Sequence, residues 1–362
     1  MRNLSNKMKI VFIISNLKRT GPVNQLYQLL SLMGKNHTVS SIQVIAIGDN
    51  SGVKNSMLMD FKSVGIDVKH LGIKGYNLYK ISKELKREFQ DFDFDIIVSQ
   101  GFRSDCAIAF FPIDGFKNKL SILHNYIGPD YLFEYGGLIG RLMTVMHKIA
   151  LKKFHMVISV SESVREYVRD VYSLETIAIK NGVVANKKIK EVKRNDLIKC
   201  VYVGNIDDRK NVIKLLHIFQ QLSNVTLDIY GDGPRKNEYE KLYSSERIRF
   251  CGYINNVQDV LSDYEIFVSA STFEGLPMAV LEALASGLPC ILSDISPHKE
   301  ILSLSGKFGM LDSFTDPHKL NEKINRCVLL KPKEILKDFS AELSSDVMCQ
   351  RYLSLFKKIS DK

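Results

Sequence analysis

The sequence has no apolar stretch near the roughly 20 residues needed to span a bilayer. Its N-terminal apolar run, Ile10 to Ile14, is also too short for the core of a signal peptide, and a polar leader, Met1 to Lys7, precedes it. A cytoplasmic protein that does not cross a membrane is expected. The six cysteines (Cys106, Cys200, Cys251, Cys290, Cys327 and Cys349) form no Cys-x-x-Cys pair and have no metal-ligand spacing. Most adjoin apolar residues, which fits reduced core thiols in a cytosolic protein. Internal repeats and low-complexity tracts are missing too. Nothing resembles a nucleic-acid-binding motif, and the basic residues lack the aromatic interleaving of a single-strand binder.

What is present fits a soluble globular protein. A hydrophobic content of 45% with 25% charged residues is that of a globular protein, and 362 residues suffice for two domains. The net charge of +10 is unevenly placed. Residues 1–180 carry 24 Lys+Arg against 16 Asp+Glu, and residues 181–362 carry 26 against 24. The basic first half points to an anionic partner, and with nucleic acid set aside, lipid or a lipid-linked acceptor is the better reading.

Short β-rich runs alternate with amphipathic stretches along the whole chain. Strands are expected at Lys9–Ser15, Ile42–Ile47, Val68–Leu71, Ile96–Ser99, Leu120–Leu123 and Val157–Val160, with helices between. That alternation argues for a parallel α/β sheet. Tyr126 to Tyr135 is aromatic and contains glycine, and a helix is expected from about Leu138 to Phe154. Its mixture of leucine, methionine, lysine and arginine suits either packing on the sheet or a membrane surface, the former slightly more so. Ile177–Val184 leads to a Lys/Arg-rich linker, Lys187–Arg194, so a boundary near residue 185 is expected. Cys200–Asn205, Thr226–Tyr230 and Arg249–Tyr253 then begin a second alternating set. The tail, Ala341 to Lys358, has apolar residues at helical spacing.

One stretch organises the rest: Ser269 to Asp294, SASTFEGLPMAVLEALASGLPCILSD. It reads as strand, loop, helix, strand, with Pro277 at the first helical position and Gly287 just past the end. The amides of Gly275, Leu276 and Met278 stand at or beside the helix N-terminus, where an anion is favoured. Glu274 lies in the loop. Glu282 lies in the helix, about 8 Å further along. The pair suits the two ends of a sugar nucleotide, although two isolated glutamates are more simply a helix cap and a solvated face.

The whole string resembles the Glu-x7-Glu signature of family 4 of the retaining glycosyltransferases, and the resemblance covers almost the full chain. It implies an α/β fold of GT-B architecture: two Rossmann-like domains with parallel sheets facing across a cleft, and a C-terminal helix crossing back to the first. Residues 1–185 would form the acceptor domain, 186–340 the nucleotide-sugar domain and 341–362 the returning helix.

The resemblance also implies roles. Glu274 would position the donor sugar, Glu282 would bind the ribose, and Gly275, Leu276, Pro277 and Met278 would hold the phosphates. His124, in SILHNY, matches a histidine that contacts the donor sugar or its phosphate; by itself, a histidine at a strand end is more often structural. Lys210 matches a lysine that holds the diphosphate. The family's preceding Gly-Arg is here Gly204-Asn205, so that contact is missing or falls to Arg209. The first glycine-rich loop retains only Gly21, and Tyr253 follows the strand whose loop borders the base. Gly231-Asp232-Gly233-Pro234 is the family's usual turn rather than a dinucleotide fingerprint.

These matches imply a retaining transferase that moves a sugar from a UDP- or GDP-linked donor to a saccharide acceptor. The acceptor would be lipid-linked, at the inner face of a bacterial membrane, in O-antigen or capsule synthesis. No cofactor or metal is expected, because Lys210, Arg209 and the helix terminus take the place of a divalent cation. A GT-B nucleotide-sugar epimerase and a silent nucleotide-sugar-binding subunit are the alternatives.

Overall fold

The computed structural model describes residues 7–48, 56–90, 94–111, 118–186 and 197–360. The linker read at Lys187–Arg194 and most of the polar leader lie outside them. The chain divides into two compact units, one of Met1–Gly182 with Met348–Lys362 and one of Val183–Val347. The sequence places the corresponding boundaries at 185 and 341.

The first unit is built on seven strands: β1 (Met8–Ile14), β2 (Val39–Ala46), β3 (Asp67–His70), β4 (Ile96–Gln100), β5 (Asn118–Leu123), β6 (Met156–Ser159) and β7 (Ile177–Ala178). They pair in the order β3-β2-β1-β4-β5-β6-β7, all parallel. β1 is an interior strand, with Ile10 opposite Ile42 on one side and Ile96 on the other. Only Lys9 of this strand is exposed, so its continuous apolar run is what a strand covered on both faces requires. Val11, Ile13, Ile45 and Ile97 meet Ile81, Leu85 and Phe89 of a covering helix in one core.

The second unit has six strands: β8 (Ile198–Val203), β9 (Val225–Tyr230), β10 (Ile248–Gly252), β11 (Ile266–Ser269), β12 (Cys290–Leu292) and β13 (Gly309–Leu311). Their order, β10-β9-β8-β11-β12-β13, repeats that of the first unit's first six strands. Its own core joins Tyr202, Leu215, Phe219, Leu227, Val268 and Ile291.

In each sheet the winding reverses once, between β1 and β4 and between β8 and β11. Loops leaving the carboxyl ends of strands at such a reversal diverge and leave a crevice, where α/β sheets bind ligands. The topology therefore singles out the loops after Ile14, Gln100, Val203 and Ser269.

The expected strands are found within a few residues, with three differences in detail. Pro277 is not the first helical residue: it is the extended cap (φ −73°, ψ 110°) before the helix Met278–Ala285. The aromatic stretch is itself a helix, Ile127–Tyr135, joined by Gly136 to the helix Gly137–Leu151. Of Ile177–Val184, only Ile177 and Ala178 pair with β6, and Val183 instead bridges Ser344. The last helix, Ser345–Ser360, buries Met348, Tyr352 and Phe356, and Gln25 of the first unit donates to the Met348 sulfur at 3.3 Å.

Candidate active site

The second unit's reversal point is built from the β8 and β11 loops. After Val203 the chain passes through Gly204 at φ +155°. Across from it, a Cβ at Gly231 would stand 1.8 Å from the Gly204 carbonyl oxygen, so only glycine allows the β8 and β9 loops to pass. Asp207 then shapes the turn: its carboxylate accepts the Lys210 backbone N–H at 2.8 Å and the Asn205 side-chain amide at 2.6 Å. Asn205 is thus engaged within its own loop. The two loops are stitched together where Thr272 donates its N–H and its hydroxyl to the Arg209 carbonyl, at 2.9 and 3.0 Å.

These bonds bring two cations onto one carboxylate. Arg209 Nη1 donates to Glu274 Oε2 at 3.0 Å, and Lys210 Nζ and Ser271 Oγ (2.8 Å) both donate to Oε1. The Arg209 guanidinium also lies 5.5 Å from the centre of the Phe273 ring. Glu274 is only 6% exposed. Burial alone would push its carboxyl up, but Lys210 and Arg209 outweigh that and hold it at about 2. One carboxylate between two cations leaves the cluster with one net positive charge, a partner for an anion.

Glu282 sits four residues into the helix Met278–Ala285 and is half-buried. Burial pushes its carboxyl up to about 7, with no cation opposing it. Gly287, at φ +78°, ends this segment, where a Cβ would meet Pro332 at 2.9 Å. The helix Ser296–Ser303 adds His298, which is fully buried and close enough to Glu274 to feel its charge. His298 Nδ1 faces the Ser293 carbonyl at 2.9 Å, and burial lowers its basicity to about 4.

Of the residues expected at the donor, Arg209, Lys210 and Glu274 are in contact, with Gly204 and Asn205 in the same loop. Gly275, Leu276, Pro277 and Met278 form the turn that follows Glu274, leading to Glu282. Tyr253 follows β10 and is half-exposed. Sequence reading missed Ser271, Asp207 and His298. Only Ser271, three residues before Glu274, offered a local signal.

Gly21 and His124 belong to the first unit. There, the carboxyl ends of β1, β4 and β5 open into a cavity of about 420 Å³. Its walls include Asn16, Gln100, Arg103, His124, Tyr131 and His147, while Gly21 begins the helix behind Thr20. Burial lowers the His124 imidazole to about 4, so it is neutral at physiological pH, and its buried Nε2 has no protein partner.

Residues 198–329 match the family model for glycosyl transferases group 1. The second unit is a group 1 glycosyltransferase domain. Over a longer span, the chain is 23% identical to the O-antigen biosynthesis glycosyltransferase WclY of Escherichia coli, covering 81% of this chain and 82% of WclY. A shorter match, 31% identical over 30% of this chain and 31% of the relative, is to an Escherichia coli UDP-Gal:alpha-D-GlcNAc-diphosphoundecaprenol alpha-1,3-galactosyltransferase. Among solved structures, Anabaena HepE in complex with UDP-glucose superposes with a TM-score of 0.77, at 15% identity, covering 97% of this chain and all of that one. That likeness shows the fold, two parallel-sheet Rossmann-like units of the GT-B class.

The Asp-x-Asp spacing of metal-dependent sugar transferases does occur in this chain, at Asp91-Phe92-Asp93-Phe94-Asp95. Asp91 and Asp93 lie outside the described residues. Asp95 precedes β4 and accepts the Lys9 N–H at 2.7 Å, at the opposite end of the sheet from the cavity.

Proposed function

We propose that this chain is a retaining glycosyltransferase. It takes a sugar from a UDP- or GDP-linked donor and adds it to a lipid-linked saccharide in bacterial surface-polysaccharide synthesis, O-antigen or capsule. The observation that carries this is the Glu274 carboxylate clamped by Arg209 and Lys210 at the second sheet's reversal point. Donor diphosphate arriving there meets a cluster of net positive charge, and Arg209 stands in for the arginine missing at Asn205. As the bond from sugar to diphosphate breaks, fixed cations stabilise the charge that develops, and no divalent ion is required. Glu274, held ionised, accepts hydrogen bonds from sugar hydroxyls, and Glu282 accepts from the ribose. The acceptor hydroxyl attacks on the face the diphosphate leaves and gives its proton to the departing diphosphate oxygen, so the anomeric configuration is retained.

A lipid-linked acceptor has support in the helix Gly137–Leu151. It exposes Leu138 (86%), Ile139, Leu142, Val145 and Ile149, contains no acidic residue, and ends beside exposed Lys152 and Lys153. Apolar residues backed by cations fit an anionic bilayer surface. No helix among the described residues is long and apolar enough to cross a membrane, and peripheral docking at the inner face is the arrangement proposed. The undecaprenol-linked substrate named for one relative agrees with it.

The test is Glu274→Gln, assayed with a donor found by thermal-shift screening of nucleotide sugars. A drop in kcat/KM of about 10² or more is expected, roughly 2.7 kcal/mol of lost transition-state stabilisation. Affinity for free nucleoside diphosphate should not fall, because both cations remain. Near-normal turnover would reject the role given to Glu274. Epimerisation of the donor without any acceptor would favour a nucleotide-sugar epimerase instead.

A further inference from the structure

The cavity of the first unit is backed by a buried chain of polar groups that donor binding does not explain. Asp105, fully buried on the helix Phe102–Phe110, accepts hydrogen bonds from three side chains. Ser99 donates to Oδ1; Ser121 and His147 Nε2 lie at 3.0 and 2.8 Å from Oδ2. The other ring nitrogen, His147 Nδ1, lies 2.6 Å from the Tyr131 hydroxyl. His147 is 1% exposed, and both it and Tyr131 line the cavity. Close packing holds the pair in place: a Cβ at Gly140 would stand 2.5 Å from the Tyr131 carbonyl oxygen.

For a neutral His147 ring, hydrogen-bond bookkeeping fixes a polarity. An ionised carboxylate only accepts, so Nε2 must carry the ring proton. In a neutral imidazole Nδ1 is then an acceptor, and the Tyr131 O–H donates to it. The lone pairs of Tyr131 Oη are left for whatever occupies the cavity. Three further polar atoms on the same walls have no protein partner: Nε2 of Gln100, a residue 6% exposed, Nε of Arg103 and Nε2 of His124. A wall presenting amide and guanidinium donors, a neutral imidazole and a phenol oxygen that only accepts matches a ring bearing several hydroxyl groups.

We propose that Asp105 and His147 are positioning residues that hold Tyr131 as a hydrogen-bond acceptor, and that Tyr131 selects one hydroxyl of a saccharide bound in this cavity. The sugar-facing half rests on the glycosyltransferase reading; the polarity of the relay does not. Asp105→Asn should reverse that polarity. The amide oxygen would still accept from Ser99, but the NH₂ in place of Oδ2 would donate to Ser121 Oγ and to Nε2, move the ring proton to Nδ1 and turn the Tyr131 hydroxyl outward.

The experiment uses the full chain labelled with ¹⁵N-histidine. Long-range ¹⁵N–¹H spectra at pH 7.5 should show His147 as the Nε2–H tautomer in the wild type and in Tyr131→Phe, and as the Nδ1–H tautomer in Asp105→Asn. An Nδ1–H ring or an imidazolium in the wild type overturns the relay. Should Asp105→Asn fail to fold, the wild-type spectrum and Tyr131→Phe still decide.

The second arm titrates methyl glycosides of glucose, galactose and N-acetylglucosamine, with their monodeoxy analogues, while the His147 signals are followed. One glycoside should shift them, and one of its monodeoxy analogues should bind about tenfold more weakly, the worth of one hydrogen bond. That discrimination should vanish in Tyr131→Phe. Discrimination persisting in Tyr131→Phe overturns the role of Tyr131. No shift with any glycoside, beside an intact Nε2–H tautomer, overturns the sugar-facing half and counts against the saccharide reading rather than the relay.

Discussion

Glu274 and Glu282 belong to one short string, yet their surroundings push them in opposite directions. Burial favours the neutral acid at both. Only Glu274 has cations to outweigh it, so it is held at about 2 while Glu282 rises to about 7, from an ordinary value of 4.5. The consequences for stability have opposite signs. The lowered Glu274 contributes stability above about pH 4.5 that is lost as pH falls toward 2. The raised Glu282 keeps its proton in the folded state while the unfolded chain releases it, so stability falls as pH rises from about 4.5 to 7. Glu282→Gln should therefore melt like the wild type near pH 4 and be the more stable protein at pH 8, by on the order of 3 kcal/mol at most. It should also bind free nucleoside diphosphate about tenfold to a hundredfold more weakly, because charge-assisted bonds to ribose hydroxyls are lost. Melting curves at both pH values and nucleotide titration check this. Parallel pH–stability profiles, or unchanged affinity, would remove Glu282 from the site. The glutamate pair was legible because spacing within one string reveals it. Asp105 and His147, 42 residues apart on different helices, left no local pattern to read.

The helical hairpin formed by Ile127–Tyr135 and Gly137–Leu151 shows where sequence reading was incomplete. Its first helix was given no element in the sequence, where Gly128 and Pro129 sit among aromatics. Pro129 is, however, the third helical residue, within the turn whose N–H groups have no intrahelical acceptor in any case, so the helix forms regardless. The second helix was legible from its apolar spacing, but sequence could not say which apolar face is covered. In the fold, Met143 and His147 turn to the cavity while Leu138, Leu142 and Val145 are exposed. The proposed membrane contact therefore backs directly onto the cavity wall. Leu138→Asp with Leu142→Asp should abolish co-sedimentation with vesicles containing phosphatidylglycerol, with little change in melting temperature, because neither side chain is in the core. Lys152→Glu with Lys153→Glu should weaken it by about 1 kcal/mol per cation or more. Raising the salt past physiological strength, where the Debye length falls below about 8 Å, should weaken wild-type binding too. Binding that ignores both substitutions and salt would refute this face as the docking surface.

For the whole molecule, two sheets with the same reversing strand order give each unit its own core and its own crevice. The proposed diphosphate site draws Arg209, Lys210 and Glu274 from the second unit alone. Ligand binding stabilises the unit that holds the ligand, by about 2.7 kcal/mol at a hundredfold excess over the dissociation constant. Separate cores allow the two units to unfold in separate steps. In calorimetry of the full chain, UDP or GDP should therefore raise the midpoint of one transition and leave the other nearly in place. Because fixed cations rather than a divalent ion carry the diphosphate in this reading, the shift should be the same in excess EDTA. The Asp-x-Asp spacing at Asp91–Asp95 makes the chelator arm decisive, since metal independence cannot be argued from the motif's absence. Arg209→Ala with Lys210→Ala should lose the nucleotide-induced shift, and the double variant need not unfold the protein, since its loop is also held by the Asp207 and Thr272 bonds. A shift that appears only when manganese is added would reject metal independence, and one that survives the double substitution would place the nucleotide elsewhere.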